Sequence, residues 1–186
     1  MCGKLYRKNF WETNNLKLEK ELKYGEDSML NIEAYIKAKK ITFLSELVYF
    51  WRANEESVTS RYNPYLMDEQ EKTLNKMKKK FPEITETYEK EFISYVSKAI
   101  KNIFENMYCS KECSKECRIE LLKKFESKHV FIECINSNLY SEVPFERKIM
   151  LKLLKFRLYG ITGFLIKIYK KYRSQKIGGQ VERRTN

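Results

Sequence analysis

The spacing of apolar residues in the middle of the chain constrains its fold more than any other feature. Apolar side chains recur there every three, four or seven residues, which places them on one face of a helix. Two such stripes follow each other, and they comprise Met67, Leu74, Met77 and Phe81, then Tyr88, Phe92, Tyr95, Val96, Ala99, Ile103, Phe104 and Met107. Only 6 glycines and 3 prolines occur in 186 residues, which favours helices over a turn-rich β-sandwich. Further helices are predicted over 115–126, 144–156 and 158–174.

The first third of the chain has a different pattern. Residues 41–44 and 47–51 are rich in β-branched and aromatic side chains, which is typical of strands. Residues 2–6 are expected to form a short buried strand, and residues 27–38 have helical spacing. The sequence therefore predicts an α+β, helix-rich fold: a sheet element of two or three strands, then a helical C-terminal extension.

Two adjacent carboxylates, Glu26 and Asp27, follow Gly25 at the start of the predicted helix. The unpaired N–H groups and the dipole of a helix N-terminus favour negative charge there. One interpretation is helix capping, which contributes roughly 1 kcal/mol. The other is a general base, which must be ionised and within hydrogen-bond reach of the proton that it removes.

Three segments together resemble a known family. Cys2-Gly3-Lys4-Leu5-Tyr6-Arg7, the Gly25-Glu26-Asp27 turn and Tyr49-Phe50-Trp51-Arg52 are similar in order to the acceptor-side half of an inverting glycosyltransferase of the GT-A fold, family-2 type. The resemblance covers residues 2–61 and implies that the predicted strands belong to a partial GT-A sheet. It also implies that Asp27 takes the proton from the acceptor hydroxyl, while Glu26 orients or binds the acceptor.

The resemblance further implies a substrate-binding role for Lys4, Tyr24, Arg52 and Arg61. Cations near this site would stabilise the leaving nucleoside diphosphate, and Tyr24 would line the acceptor pocket. Taken singly, each of the three cations is more typical of an ordinary charged surface.

In the resembled family a nucleotide-binding half with an Asp-x-Asp metal motif precedes these segments. The sequence contains no such motif, so we expect a truncated transferase of the cell-surface polysaccharide type that is inactive as an isolated chain. A complete enzyme would be expected to use Mn or Mg, and no cofactor is assigned to this chain. The predicted organisation is an acceptor-side portion (1–63), a helical extension (64–143), basic amphipathic helices (144–176) and a disordered tail (177–186).

The 5 cysteines are odd in number and no secretory signal precedes them, which favours free thiols in a reducing cytoplasm. Cys109, Cys113 and Cys117 lie four residues apart, on one stripe if the helix is straight. That stripe would span about 12 Å, too far for one metal ion. A zinc site would need a broken helix with His129 or Cys134 as a fourth ligand, so we predict no metal.

The charge is concentrated at the C-terminal end. Residues 144–186 contain 12 lysines and arginines and 2 glutamates, whereas residues 1–143 contain 25 and 23. Basic residues interleaved with apolar ones are typical of helices that lie on an anionic membrane. We therefore expect a cytoplasmic protein, peripheral at the inner face of the membrane, with a glycan or lipid-linked acceptor and a homo-oligomer or the missing half as partners. The alternative is a non-enzymatic basic helical module that binds anionic membrane or nucleic acid.

Overall fold

A computed structural model describes residues 4–46 and 61–182, with side chains as far as Arg173. The chain divides into two compact units, Met1–Arg61 and Tyr62–Asn186. The described part of unit 1 contains helices α1 (Lys8–Thr13) and α2 (Glu26–Lys37). Unit 2 contains α3 (Leu66–Lys80), α4 (Pro82–Thr87), α5 (Glu89–Cys109), α6 (Lys115–Glu126), α7 (His129–Asn136), α8 (Phe145–Lys155) and α9 (Tyr159–Glu182).

The predicted α+β fold with a GT-A sheet element is wrong, because residues 4–46 and 61–182 contain helices and no strand. The predicted strand 41–44 is irregular, and its Phe43 and Leu44 are 91% and 61% exposed. Residues 4–6 of the predicted strand 2–6 lead into α1 without pairing, and strand 47–51 lies outside the described residues. β-Branched and aromatic side chains favour a strand only where a neighbouring strand pairs with it, and the described residues supply none.

Unit 1 is held together by a small apolar core between α2 and the segment around α1. Leu16, Leu30 and Ala34 are almost completely buried, and the aromatic side chains of Tyr6, Phe10 and Trp11 pack against them. Because Leu30 and Ala34 are four residues apart, they lie on the same face of α2. The aromatic residues before Asn14 therefore cover the inner face of the helix that carries Glu26 and Asp27.

Unit 2 is built around α5, which contacts α3, α4, α6, α7, α8 and α9. Its buried residues are Phe92, Ile93, Val96, Ser97, Ala99, Ile100, Ile103, Phe104, Met107 and Tyr108. They recur every three or four residues, so the stripe predicted from the sequence is the core of the unit. The helices predicted from residue 65, over 115–126 and over 144–156 are also confirmed, as α3, α6 and α8.

Polar contacts fix the outer helices of unit 2. The Nη1 atom of Arg147 on α8 donates to the Ser94 carbonyl oxygen at 2.6 Å and to Ser97 Oγ at 2.8 Å, both on α5. Asp68 on α3 forms ion pairs with Lys124 and with Lys128, the latter at 3.0 Å. Charged contacts thus join helices that are far apart in sequence.

The corner between α8 and α9 depends on Arg157, which has a φ of 57°. The Arg157 N–H donates to the Leu154 carbonyl at 2.9 Å and the Leu158 N–H to the Leu153 carbonyl at 3.0 Å. These two bonds form a Schellman motif, in which the left-handed residue is usually glycine. α9 then runs to Glu182 and so extends into segment 177–186, for which the sequence predicts a tail.

Candidate functional site

The carboxylate pair Glu26 and Asp27 occupies the first turn of α2, and both side chains are half-buried. Gly25 precedes them with φ 78° and ψ 8°, and its carbonyl accepts from the Met29 N–H at 3.0 Å. This left-handed conformation is readily adopted by glycine and strained for other residues. Asp27 therefore lies in the first turn of a helix, where the sequence predicts it.

The segment before α1 is hydrogen-bonded to α2, the helix that carries the two carboxylates. The Tyr6 hydroxyl donates to Asn31 Oδ1 at 2.6 Å, and Asn31 lies one turn after Asp27 on the same face of α2. Burial, and to a lesser extent the nearby Tyr35, raises the pKa of Tyr6, so its hydroxyl remains a hydrogen-bond donor. Asn31 could be found from the sequence only by its spacing of four residues from Asp27.

Of the other predicted site residues that the structure describes, one lies next to the two carboxylates in the chain and two are exposed. Tyr24 is half-buried and lies directly before Gly25, so it borders the turn that carries the two carboxylates. Lys4 and Arg61 have exposed side chains, and Arg52 lies outside the described residues. Tyr24, Glu26 and Asp27 are therefore close together because they are neighbours in the sequence.

The three clustered cysteines do not lie on one straight helix. α5 ends at Cys109, Cys113 is buried in the connection, and Cys117 lies in the first turns of α6. The Tyr62 hydroxyl is 3.4 Å from Cys117 Sγ, and burial raises the pKa of the Cys113 thiol. Within residues 4–46 and 61–173, no three histidine, cysteine or acidic side chains are grouped so as to hold a metal ion.

α9 has two apolar faces. Thr162, Gly163 and Ile166 are buried on the face that packs against the unit. The opposite face carries an exposed stripe with helical spacing that comprises Ile161, Phe164, Leu165, Ile168 and Tyr172, each between 40% and 64% exposed. Such a stripe cannot be explained by packing within unit 2, because its side chains point away from the core.

α8 repeats this arrangement. Its inner face buries Met150, Leu151 and Leu154. Its outer face carries Phe145 and Ile149, and Phe156 continues the same stripe directly after the helix; these three are 77%, 39% and 74% exposed. Exposed lysines lie among them, at positions 152 and 155, so both C-terminal helices present apolar and basic side chains to solvent. Among the described residues, no helix has the length and apolarity needed to cross a bilayer.

A basic cleft of about 390 Å³ lies between the end of α5 and the side of α9. It is lined by Tyr108, Cys109, Ser110, Lys111, Lys167, Lys170 and Lys171. Burial raises the pKa of the Cys109 thiol, although Lys170 and Lys167 act in the opposite direction. From the sequence, Lys167, Lys170 and Lys171 are recognisable only as part of the basic end, because the contribution of Ser110 and Lys111 depends on how α9 packs beside α5.

Comparison with known proteins gives one partial relative. The chain is 36% identical over 66 residues to "Uncharacterized glycosyltransferase EpsJ" of Bacillus subtilis (strain 168). Part of the chain is therefore similar to a glycosyltransferase. The match covers 35% of this chain and 19% of that protein, so the chain spans about a fifth of the relative's length. No protein-family model matches the chain, and no solved structure matches it.

Proposed function

We propose that this chain acts in glycosyl transfer at an anionic membrane surface. Unit 1 supplies the general base Asp27 on the acceptor side of an inverting, family-2-type transferase, and unit 2 attaches the protein to the membrane. The partial likeness to a glycosyltransferase supports the reaction class. The observation that carries the assignment of the base is the position of Asp27 in the first turn of α2, half-buried and beside Tyr24.

In the proposed reaction, Asp27 accepts the proton of an acceptor hydroxyl while the hydroxyl oxygen attacks the anomeric carbon of a nucleoside-diphosphate sugar. The bond between that carbon and the diphosphate breaks, and the diphosphate leaves with the bonding electrons. Glu26 orients the acceptor, and Tyr24 contacts its sugar ring. Lys4, Arg52 and Arg61 are proposed to stabilise the charge of the leaving group.

Membrane attachment is proposed from the outward stripes of α8 and α9. Residues 145–173 contain nine lysines and arginines and one acid, Glu146. Each basic residue near an anionic surface contributes about 1 kcal/mol, and the apolar side chains between them add a part that salt does not screen. A lipid-linked acceptor, as used in polysaccharide synthesis, would be found at the same membrane.

The base assignment is tested with membranes from cells that express the chain, supplied with radiolabelled nucleoside-diphosphate sugars and Mn. Asp27→Asn should abolish transfer, whereas Glu33→Gln, which removes the same charge from the same helix, should retain it. Equal transfer by Asp27→Asn and the wild type would refute the base assignment. Because the isolated chain is expected to be inactive, a nucleotide-binding half is supplied as a second chain in these membranes. Absence of transfer with every donor under those conditions would count against a glycosyl transfer role.

Attachment is tested separately by co-sedimentation with vesicles that contain anionic lipid. Phe164→Ser/Ile168→Ser should weaken binding and make the remainder more sensitive to salt. The matched control is Phe43→Ser/Ile119→Ser, which changes exposed apolar residues outside the two C-terminal helices. If both double variants bind as the wild type does and duplex DNA displaces them, the basic end binds nucleic acid and the membrane proposal fails.

A further inference from the structure

The shallow, open basic cleft between α5 and α9 brings four lysines together. Lys167 and Lys171 are one helical turn apart on the same side of α9, and Lys170 lies between them in sequence. Lys111 approaches from the segment that follows α5 and, with Ser110, closes the other side. Four ammonium groups around about 390 Å³ repel one another, and an anion inside the cleft would relieve that repulsion.

The protein itself supplies little negative charge to this cleft. Lys111, Lys167 and Lys171 form no ion pair with any residue in the part of the chain that the structure describes. None of the residues that line the cleft is acidic. Two acids lie nearby in the chain: Glu105, whose carboxylate is already paired with Lys101 at 2.6 Å, and Glu112, which is exposed and directly follows Lys111. The cleft therefore has an excess of cations that an external anion can neutralise.

The position of the cleft on α9 indicates where such an anion comes from. On the helix surface, Lys167 and Lys171 lie between the buried face, with Gly163 and Ile166, and the exposed stripe that contains Phe164 and Ile168. A molecule that fills the cleft is thus next to apolar side chains that point into solvent. A lipid matches both features, because its headgroup carries the charge and its acyl chains cover the apolar stripe.

We propose that this cleft binds the phosphomonoester headgroup of an anionic membrane lipid. A phosphomonoester carries a charge of about −1.5 to −2 and three strong acceptor oxygens, so it can receive hydrogen bonds from several ammonium groups and from the Ser110 hydroxyl. A phosphodiester carries a single negative charge and can therefore neutralise fewer of these ammonium groups. This inference rests on the proposed membrane attachment and adds selectivity for one class of headgroup.

The test compares vesicles that contain phosphatidic acid with vesicles that contain phosphatidylglycerol at matched surface charge. The wild type should bind phosphatidic acid about 25-fold more tightly, since Lys167 and Lys171 each contribute roughly fivefold. Lys167→Gln/Lys171→Gln should reduce that ratio to about one. The control Lys152→Gln/Lys155→Gln removes two charges from α8, outside the cleft, and should weaken binding to both vesicles while the ratio is retained.

Two outcomes would overturn the inference. In one, the cleft variant keeps the wild-type ratio or loses no more of it than the α8 control. In the other, calorimetry shows that inorganic phosphate binds the wild type as tightly as soluble dihexanoyl phosphatidic acid does, which would make free phosphate the ligand. If soluble phosphatidic acid binds through Lys167 and Lys171 but no vesicle does, the cleft site stands and the membrane attachment fails.

Discussion

α9 approaches α5 so closely at Gly163 that the effect of a larger side chain there on the free energy of unfolding can be estimated. A Cβ atom at this position would lie 2.0 Å from Cδ1, 2.1 Å from Cε1 and 2.5 Å from Cγ of Tyr108. Ordinary van der Waals contact needs at least 3.4 Å, so Gly163→Ala requires a displacement of more than 1 Å. Tyr108 cannot move freely, because its ring stacks on Phe104 and lies under the Arg118 guanidinium, with its centroid 4.6 Å from Cζ.

We expect Gly163→Ala to lower the free energy of unfolding of unit 2. Overpacking of a rigid site costs about 3 kcal/mol at the upper end of its usual range, and the higher helix propensity of alanine returns about 1 kcal/mol. The net loss is about 2 kcal/mol. The control is Gly160→Ala in the first turn of the same helix, where nothing lies within 4 Å of the added Cβ; it should gain about 0.5–1 kcal/mol.

Urea unfolding of the full chain, followed by far-UV circular dichroism, measures this difference. Both tryptophans lie in unit 1, so their fluorescence reports on unit 1 and should show an unchanged midpoint in both variants. The two alanine variants should differ by about 3 kcal/mol in the helical transition of unit 2. If Gly163→Ala is as stable as Gly160→Ala, α9 does not pack on Tyr108 as described.

Three further predictions concern single side chains. Arg147→Met should destabilise unit 2 by about 1–3 kcal/mol, because the buried Ser97 hydroxyl oxygen loses its Arg147 donor and the part-buried Ser94 carbonyl loses one of its donors. Arg147→Lys, which keeps the charge, should recover only part of this in urea unfolding. Burial raises the pKa of Asp68, but hydrogen bonds and charge from Lys124 and Lys128 outweigh burial and lower the pKa below its ordinary value. The ionised carboxylate therefore stabilises the fold above about pH 4, and this stability is lost as the pH falls through the lowered pKa. Asp68→Asn should remove the same stability, so the variant and the wild type should differ at neutral pH and converge in acid. Burial raises the pKa of Cys134 to about 12, so peptide mapping at pH 8 should find this thiol unlabelled by iodoacetamide until the chain is unfolded.

Each of these three predictions has a clear contrary result. A stability of Arg147→Met equal to that of the wild type would mean that the α8–α5 hydrogen bonds contribute nothing. A difference between Asp68→Asn and the wild type that persists at pH 2 would mean that packing, and not ionisation, explains the effect. Rapid labelling of Cys134 in the folded chain would mean that α7 opens readily.

The helices of unit 2 could be predicted from the sequence because their apolar residues repeat with the period of a helix. The stripe from Phe92 to Met107 is long enough for this period to be unambiguous, and it is the buried face of α5. Short segments were less certain. α1 and α7 have six and eight residues, too few for a periodic signal, and neither was predicted.

The strand predictions failed for a different reason. The β-branched and aromatic residues at 41–44 suit a strand, but a strand is stable only when another strand satisfies its backbone hydrogen bonds. That partner is a matter of tertiary structure, and sequence patterns over a few residues carry no information about it. The carboxylate pair at Glu26 and Asp27 was placed correctly because a helix start is set locally, by Gly25 and the residues around it.

The sequence by itself determined where the longer helices of unit 2 lie, which end of the chain is basic and where the candidate base begins its helix, since each of these depends on neighbours within one or two turns. Tertiary structure alone decided that α9 turns Phe164 and Ile168 outward while Thr162 and Ile166 face α5. It also decided that Lys111 meets Lys167 and Lys171 around one cleft. The physical reason is that these arrangements depend on how closely two helices approach, and here that approach is set by one glycine against one tyrosine ring.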